Sequence, residues 1–198
     1  MGRIPVDKPR IQNINKQKEI ASALFSLFME EGFQNQSTTK LCEVSGKSKA
    51  TLYKYFESKR EIVQFIMEDK LKKIASFKDI ILNEKFDHKT RYKNAVSVTI
   101  DAIDGITPVF LKDIAMVYPD LYKAILELKK MSLDTLRDFY EDGIKKNVFI
   151  NLSADILVLN DDLFFTAILE SDFMETQKLD LKTLFEGYFK IRFNGILK

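Results

Sequence analysis

Apolar residues recur at helical spacing along most of the 198-residue chain. Between Lys16 and Glu31, the residues Ile20, Leu24, Leu27 and Phe28 stand four, three and one apart, which puts them on one helical face. Gly32 supplies the stop, because the residue past a helix end commonly takes a left-handed conformation that Gly adopts without strain. Ser37, Thr38 and Thr39 offer hydroxyls to the start of a second helix. Leu41 and Val44 are its expected apolar contacts, Cys42 packs beside them, and Gly46 ends it. Ser48 caps a third helix reaching about Tyr55, with Leu52 and Phe56 pointing inward one turn apart. Ser58-Lys-Arg-Glu61 is a capping box that opens a long fourth helix, striped by Val63, Met67, Leu71, Ile74 and Ile81 and ending near Asn83.

After a polar connection over 83–90, Tyr92, Ala95, Val96, Thr99 and Ile103 mark another helix, which Gly105 and Pro108 break. A short apolar helix from Val109 to Tyr118 precedes Pro119, a residue suited to the first turn of the next. From Asp120 to about Lys146 two apolar stripes run side by side, predicting a helix covered on two sides. Ser153 caps a further helix through about Asp172, and Asp180 caps the last, where Leu181, Leu184, Tyr188 and Ile191 recur at three, four and three. The pattern predicts an all-α protein of about nine helices.

Composition agrees: seven Gly and four Pro are too few for a sheet built on tight turns. A 45% hydrophobic and 30% charged make-up is that of a globular chain able to bury a core. No run of about 18 apolar residues is present, so no membrane span is expected. The first ten residues carry charges without an apolar stretch behind them, unlike a secretory signal. With Cys42 the single cysteine, no internal disulfide can form, and the cytoplasm is the expected compartment. His88 is the only histidine, expected at the surface between Asp87 and Lys89, and its solitude excludes His-based triads and multi-His metal sites. No nucleophile–base pair, Gly-rich phosphate loop or metal cluster stands out, so no enzymatic activity, metal or cofactor is expected.

Charge changes the picture. Residues 1–60 hold eleven Lys and Arg against six Asp and Glu, an excess of five positive charges. The rest holds twenty against twenty-three, an excess of three negative. A basic N-terminal third on an acidic body points to a polyanionic partner, because neutralising phosphates drives non-specific DNA affinity. The outer face of the third helix, Lys49, Thr51, Tyr53, Lys54 and Tyr55, mixes cations with hydroxyls and carries no acid. That mixture suits phosphates and base edges, and a short second helix followed by such a third is a helix-turn-helix.

The stretch Ser37-Thr-Thr-Lys-Leu-Cys-Glu-Val-Ser-Gly-Lys-Ser-Lys-Ala-Thr-Leu-Tyr-Lys-Tyr-Phe-Glu-Ser-Lys-Arg-Glu61 resembles the DNA-binding signature of TetR-type transcriptional regulators. Gly46, Ser48, Thr51, Leu52, Tyr53, Phe56, Ser58 and Lys59 fall on the residue types of that signature. Lys47 replaces the usual apolar residue of the turn and is expected to face solvent or phosphate; Ala50 replaces a Gly. Farther on, the segments Asp113–Tyr122 and Tyr140–Phe149 also look like segments of some family members.

The resemblance implies a nine-helix homodimer joined through the last two helices, with a flexible basic arm over 1–14, a DNA-binding domain over 15–60 and an effector-binding and dimerisation domain over 61–198. It places Thr51, Tyr53 and Lys54 nearest a DNA groove, with Ser37, Thr38, Ser48, Lys49, Tyr55 and Lys59 on or near phosphates. It also implies a small, largely apolar effector, for which Phe110, Met116, Tyr118, Phe139, Phe164 and Phe165 are candidate contacts; plain core is the competing reading. Asn160-Asp-Asp162 interrupts an apolar helix and is expected to be a solvated patch or a polar spot in the dimer seam, with recognition of a cationic effector as an alternative. The expected function is a ligand-responsive repressor binding a palindromic operator in double-stranded DNA. The alternative is a helical protein-interaction module that sets the same basic face on an acidic partner.

Overall fold

A computed structural model describes residues 13–170, 173–177 and 179–197. The expected basic arm lies almost wholly outside the described residues. Among the described residues eleven helices follow one another: α1 (Ile14–Glu31), α2 (Thr38–Ser45), α3 (Lys49–Tyr55), α4 (Lys59–Ala75), α5 (Phe77–Ile81), α6 (His88–Ile103), α7 (Pro108–Val117), α8 (Pro119–Lys145), α9 (Ala154–Glu170), α10 (Phe173–Gln177) and α11 (Leu181–Ile196). Setting aside the five-residue α5 and α10, nine remain, as the periodicity predicts. Among the described residues the only β pairing is an isolated antiparallel bridge between Phe149 and Leu197. No single described helix is long and apolar enough to cross a membrane.

Side-chain caps set the starts. The side chains of Asn13, Ser37, Ser48, Ser58, Asp87, Thr107 and Asp180 each accept an N–H from the first turn of the helix they precede. Such a cap contributes about 1 kcal/mol. At the ends of α1 and α2, Gly32 and Gly46 take positive φ angles of 72° and 63°.

The three-helix head closes around Ile20, Leu24, Phe28, Leu41, Leu52 and Phe56, all buried. Here one expectation fails: Val44 is exposed, and α2 turns Leu41 and Ser45 inward instead. Those two stand one turn apart, and the Ser45 hydroxyl is satisfied inside the helix by the Leu41 carbonyl at 2.6 Å.

The fourth helix also stops sooner than its stripe suggests. The Ser76 hydroxyl donates to the Lys73 carbonyl at 2.6 Å, and the Ser76 N–H is shared between the carbonyls of Lys72 and Lys73. This local bonding ends α4 at Ala75 and lets α5 turn Phe77 and Ile81 into the core.

His88 is not at the surface. It is buried between the rings of Phe139 and Phe149, and its Nε2 lies 2.8 Å from the Asp142 carboxylate. The sequence neighbours of His88 are charged, but it sits in the first turn of α6, and the α6 face that buries Arg91, Tyr92 and Ala95 carries it inward.

The polar run Asn160-Asp-Asp162 is not a single solvated patch: Asn160 is exposed, Asp162 is half-buried and Asp161 lies inside. Asp161 is fully buried within the subunit, accepting from Tyr140 Oη at 2.8 Å, from Arg192 Nε at 3.1 Å and from Tyr188 Oη. Burial raises its carboxyl above the usual range, against the pull of Arg192 and the two hydroxyls. Asn160 pairs with Tyr188, and Asp162 with Lys129 at 2.6 Å.

The turn after α8 folds back so that a Cβ placed on Gly143 would overlap the Phe149 ring. Gly143→Ala is therefore expected to lower unfolding free energy by about 1–3 kcal/mol, the usual cost of overpacking, measured by chemical denaturation.

Candidate nucleic-acid interface

α3 stands on the head with its apolar side, Leu52, inward and Lys49, Tyr53 and Lys54 outward and exposed. Its start is fixed by Ser48, whose Oγ receives the Thr51 N–H at 3.1 Å and lies 2.9 Å from the Thr51 hydroxyl. Its end is fixed from α1, where the Gln17 side-chain amide donates to the Tyr55 carbonyl at 3.1 Å. The outer face is joined to α2 by a hydrogen bond of 3.1 Å between the Tyr53 and Thr38 hydroxyls. Ser37 is exposed beside them, its Oγ engaged with the Lys40 N–H. The start of α2 and the outer side of α3 thus form one surface of hydroxyls and ammonium groups.

Two predicted members stand elsewhere. Tyr55 is half-buried with its ring packed on the core, and the Lys54 ammonium lies 5.6 Å from that ring's centre. Lys59 is half-buried and donates to the carbonyls of Gln34 and Gln36 at 2.7 and 3.1 Å. Burial lowers the pKa of its ammonium, and nearby Asp113 opposes that shift. Lys59 therefore braces the loop before α2.

Lys47, expected to face solvent or phosphate, is half-buried and turned toward α1. Its ammonium pairs with Glu19 of α1 at 2.6 Å, so an ion pair stands where an apolar turn residue is usual. Glu19 also meets Lys16 at 2.6 Å. Lys16 first, and then Lys47, hold the Glu19 carboxyl down to about 2.

Behind this surface the head is fastened to the rest of the chain. The Asp113 carboxylate on α7 accepts the N–H groups of Phe33 and Gln34 at 2.6 and 2.8 Å. Gly32 must lack a side chain there, because a Cβ would stand 2.5 Å from that carboxylate. The Thr107 hydroxyl donates to the Met29 carbonyl at 2.5 Å. Arg60, at the start of α4, forks onto both carboxylate oxygens of Asp120 and lies over the Tyr118 ring at 5.0 Å. None of these contacts leaves a periodic trace, because their partners are 60 to 80 residues apart in sequence.

The body holds an apolar cavity of about 140 Å³. Its walls include Leu71 and Ile74 of α4, Phe77, Leu128 of α8 and Phe185 and Phe189 of α11. Of the six expected effector contacts only Phe165 lines it. Phe110 and Phe139 are core: Phe110 meets Phe33 edge-on at 5.6 Å, and Phe139 lies against Tyr92 and Phe149. Tyr118 stacks on Phe33 at 5.2 Å, Phe164 stacks on Tyr188 at 3.8 Å, and Met116 is 65% exposed. The α4 residues around the cavity were legible as a stripe; that they wall an opening was not. Among the described residues no group of three His, Cys, Asp or Glu is placed to hold a metal ion.

Residues 20–65 match the family profile of bacterial regulatory proteins of the tetR family. Over that segment the chain is similar to the tetR family. The matched segment runs from within α1 to the first turns of α4 and includes α2 and α3, which build the hydroxyl and cation surface. Over 91% of this chain and 95% of its own length, the fatty acid metabolism regulator protein of Bacillus subtilis is 22% identical. The ketosteroid transcriptional regulator KstR2 of Mycobacterium tuberculosis shares the fold at a TM-score of 0.68, with 18% identity over 96% of this chain and all of that one. The transcriptional regulator FadR of Bacillus subtilis, solved in complex with stearoyl-CoA, shares it at 0.58, with 22% identity over 90% of this chain and 98% of that one. DNA binding and transcription regulation are the business of this family, and nothing in the comparisons supports the alternative of an acidic protein partner.

Tyr53→Ala and Lys54→Ala are each expected to abolish retention of operator DNA in a gel-shift assay while leaving the circular dichroism spectrum intact. Acid is expected to loosen the head. Glu19, depressed in the folded state, stabilises fully above its ordinary pKa near 4.5, and that stabilisation is lost as pH falls toward about 2. Comparing acid unfolding of Glu19→Gln with that of the parent chain checks this: the variant's stability should fall less over that window.

Proposed function

We propose that this chain is a ligand-responsive repressor that binds a palindromic operator as a homodimer, with residues 15–60 as the DNA-binding domain and 61–198 as the effector-binding and dimerisation domain. The observation that carries the reading is the acid-free face of α3, anchored at both ends and continuous with the start of α2. Thr51, Tyr53 and Lys54 lie nearest base edges. Ser37, Thr38, Ser48 and Lys49 lie along phosphates.

Pairing through α9 and α11 is supported by large apolar side chains left in solvent on both helices. Ile156, Leu159 and Leu163 are 53%, 56% and 60% exposed at spacings of three and four, and Ile191 is 77% exposed. Such a stripe is the mark of a face that another helix covers. Two heads held by that pairing reach half-sites about 34 Å apart, one turn of DNA.

The cavity is the effector site in this reading, and its apolar wall suits a small, largely apolar compound. Likeness to a regulator solved with stearoyl-CoA, whose acyl chain is apolar, supports an apolar portion in the effector. An effector that favours one head separation over another by differential affinity alters operator binding. Two routes lead from cavity to head: α4, whose Met67, Leu71 and Ile74 line the cavity, and α7, whose Leu111 lines it two residues before Asp113.

Selection of bound sequences from a random DNA pool is expected to return a palindrome. Recovery of unrelated sequences alone would refute sequence-specific binding. Leu163→Glu is expected to halve the mass seen by sedimentation and to weaken palindrome binding by more than tenfold.

A further inference from the structure

The cavity wall carries four polar residues, and two of them, Thr99 and Lys129, are held by partners on the protein itself. The Thr99 hydroxyl donates to the Ala95 carbonyl of its own helix at 2.9 Å, and the Ser132 side chain belongs to the half-buried wall of α8. The Lys129 ammonium is neutralised by Asp162 and bonded to Thr166, both at 2.6 Å. Lys70 differs. Its stem lines the cavity, and its ammonium donates to the main-chain carbonyl of Asp104 at 2.7 Å. Among the described residues it forms no ion pair closer than 4.0 Å, since the Asp104 carboxylate faces Lys182 at 3.7 Å and Asp69 faces Lys73 at 2.9 Å.

Lys70 on α4, the end of α6 at Asp104 and the start of α11 at Lys182 therefore meet at one edge of the cavity. Three ammonium groups gather there around two carboxylates. Burial and then the neighbouring charge of Lys73 lower the pKa of the Lys70 ammonium, against the opposing pull of the Asp104 and Asp69 carboxylates. An ammonium has three N–H donors; here one goes to the Asp104 carbonyl, and the Phe25 ring centre lies 5.2 Å from the nitrogen, so donors remain for a ligand on the side away from both. The rest of the wall is hydrocarbon, and a dry apolar cavity of about 150 Å³ takes a six-carbon ring.

We propose that the occupant of this cavity is an anionic amphiphile, with an apolar chain of roughly six to eight carbons inside and its anionic head on Lys70 at the α4–α6–α11 edge. It rests on the cavity being the effector site proposed above, and it gives that effector a charge and a length. The head is a carboxylate or a phosphate, since either accepts charge-assisted hydrogen bonds from an ammonium. Lys182 adds a second positive charge beside it.

Titration calorimetry on the full chain with octanoate, octyl phosphate, octanol and palmitate, all below micellar concentration, tests this, alongside release of the selected palindrome. At least one of the two anionic eight-carbon compounds is expected to bind tenfold or more tighter than octanol, and palmitate more weakly than octanoate. Whichever anion binds tighter identifies the head. Lys70→Gln is expected to weaken the anion about tenfold and leave octanol unchanged. Equal binding of octanol and both anions, tighter binding of palmitate, or an anion affinity indifferent to Lys70→Gln would overturn the proposal. Binding with the expected pattern but without release of DNA would leave the occupant as proposed and remove the effector reading.

Discussion

Just past the end of α1, two successive backbone N–H groups, those of Phe33 and Gln34, converge on a single carboxylate, that of Asp113. Charge-assisted bonds of this kind are about twice as strong as neutral ones and fix direction as well as distance. The arrangement depends on Gly32, whose positive φ turns the chain and whose missing side chain leaves room for the carboxylate. Around it Phe33 is enclosed by Phe28, Phe110 and Tyr118, so rings from both sides of the junction interlock with the polar contact. A head joined to its body only by the start of α4 would swivel. Here a second helix grips it, and the position of the outer face of α3 follows that of α7.

The body has its own constraint in Asp161. An acid with no exposed surface costs several kcal/mol unless it is paired and fully bonded, and Arg192 with two tyrosine hydroxyls meets that requirement. Because Tyr140 lies on α8, Asp161 on α9 and Arg192 on α11, the cluster sets the register of three helices at once. Arg192 also reaches the Leu157 carbonyl at 2.6 Å. The helices that present the exposed apolar stripe are thus locked from behind by polar bonds.

What the amino-acid order revealed and what it hid divide along sequence distance. Caps, Gly stops and stripes are local, so Ser37, Ser48, Ser58 and Asp180 announced their helices, and the outer residues of the third helix announced its face of hydroxyls and cations. Interactions between distant segments left no such trace. His88 looked like a surface residue because its neighbours are charged, and only its partner 54 positions away explains its burial. Lys59 fits a phosphate contact by type, yet the carbonyls of Gln34 and Gln36 claim it. The aromatic residues could be counted but not placed. Most of those expected around an effector became core or junction, because which of two apolar faces meets a void is decided by packing between helices rather than along one.

The contact between Lys47 and Glu19 carries a further meaning for how such a protein is measured. An ion pair that is partly open to water is weakened by added salt, whereas a buried apolar contact is not. Salt also erodes affinity for DNA by returning counterions to the phosphates. In this chain the two effects act together, since the pair braces the turn that presents α3. A count of neutralised phosphates taken from the slope of affinity against salt would then exceed the number of side chains touching the backbone, the excess being a measure of ionic contact inside the head itself.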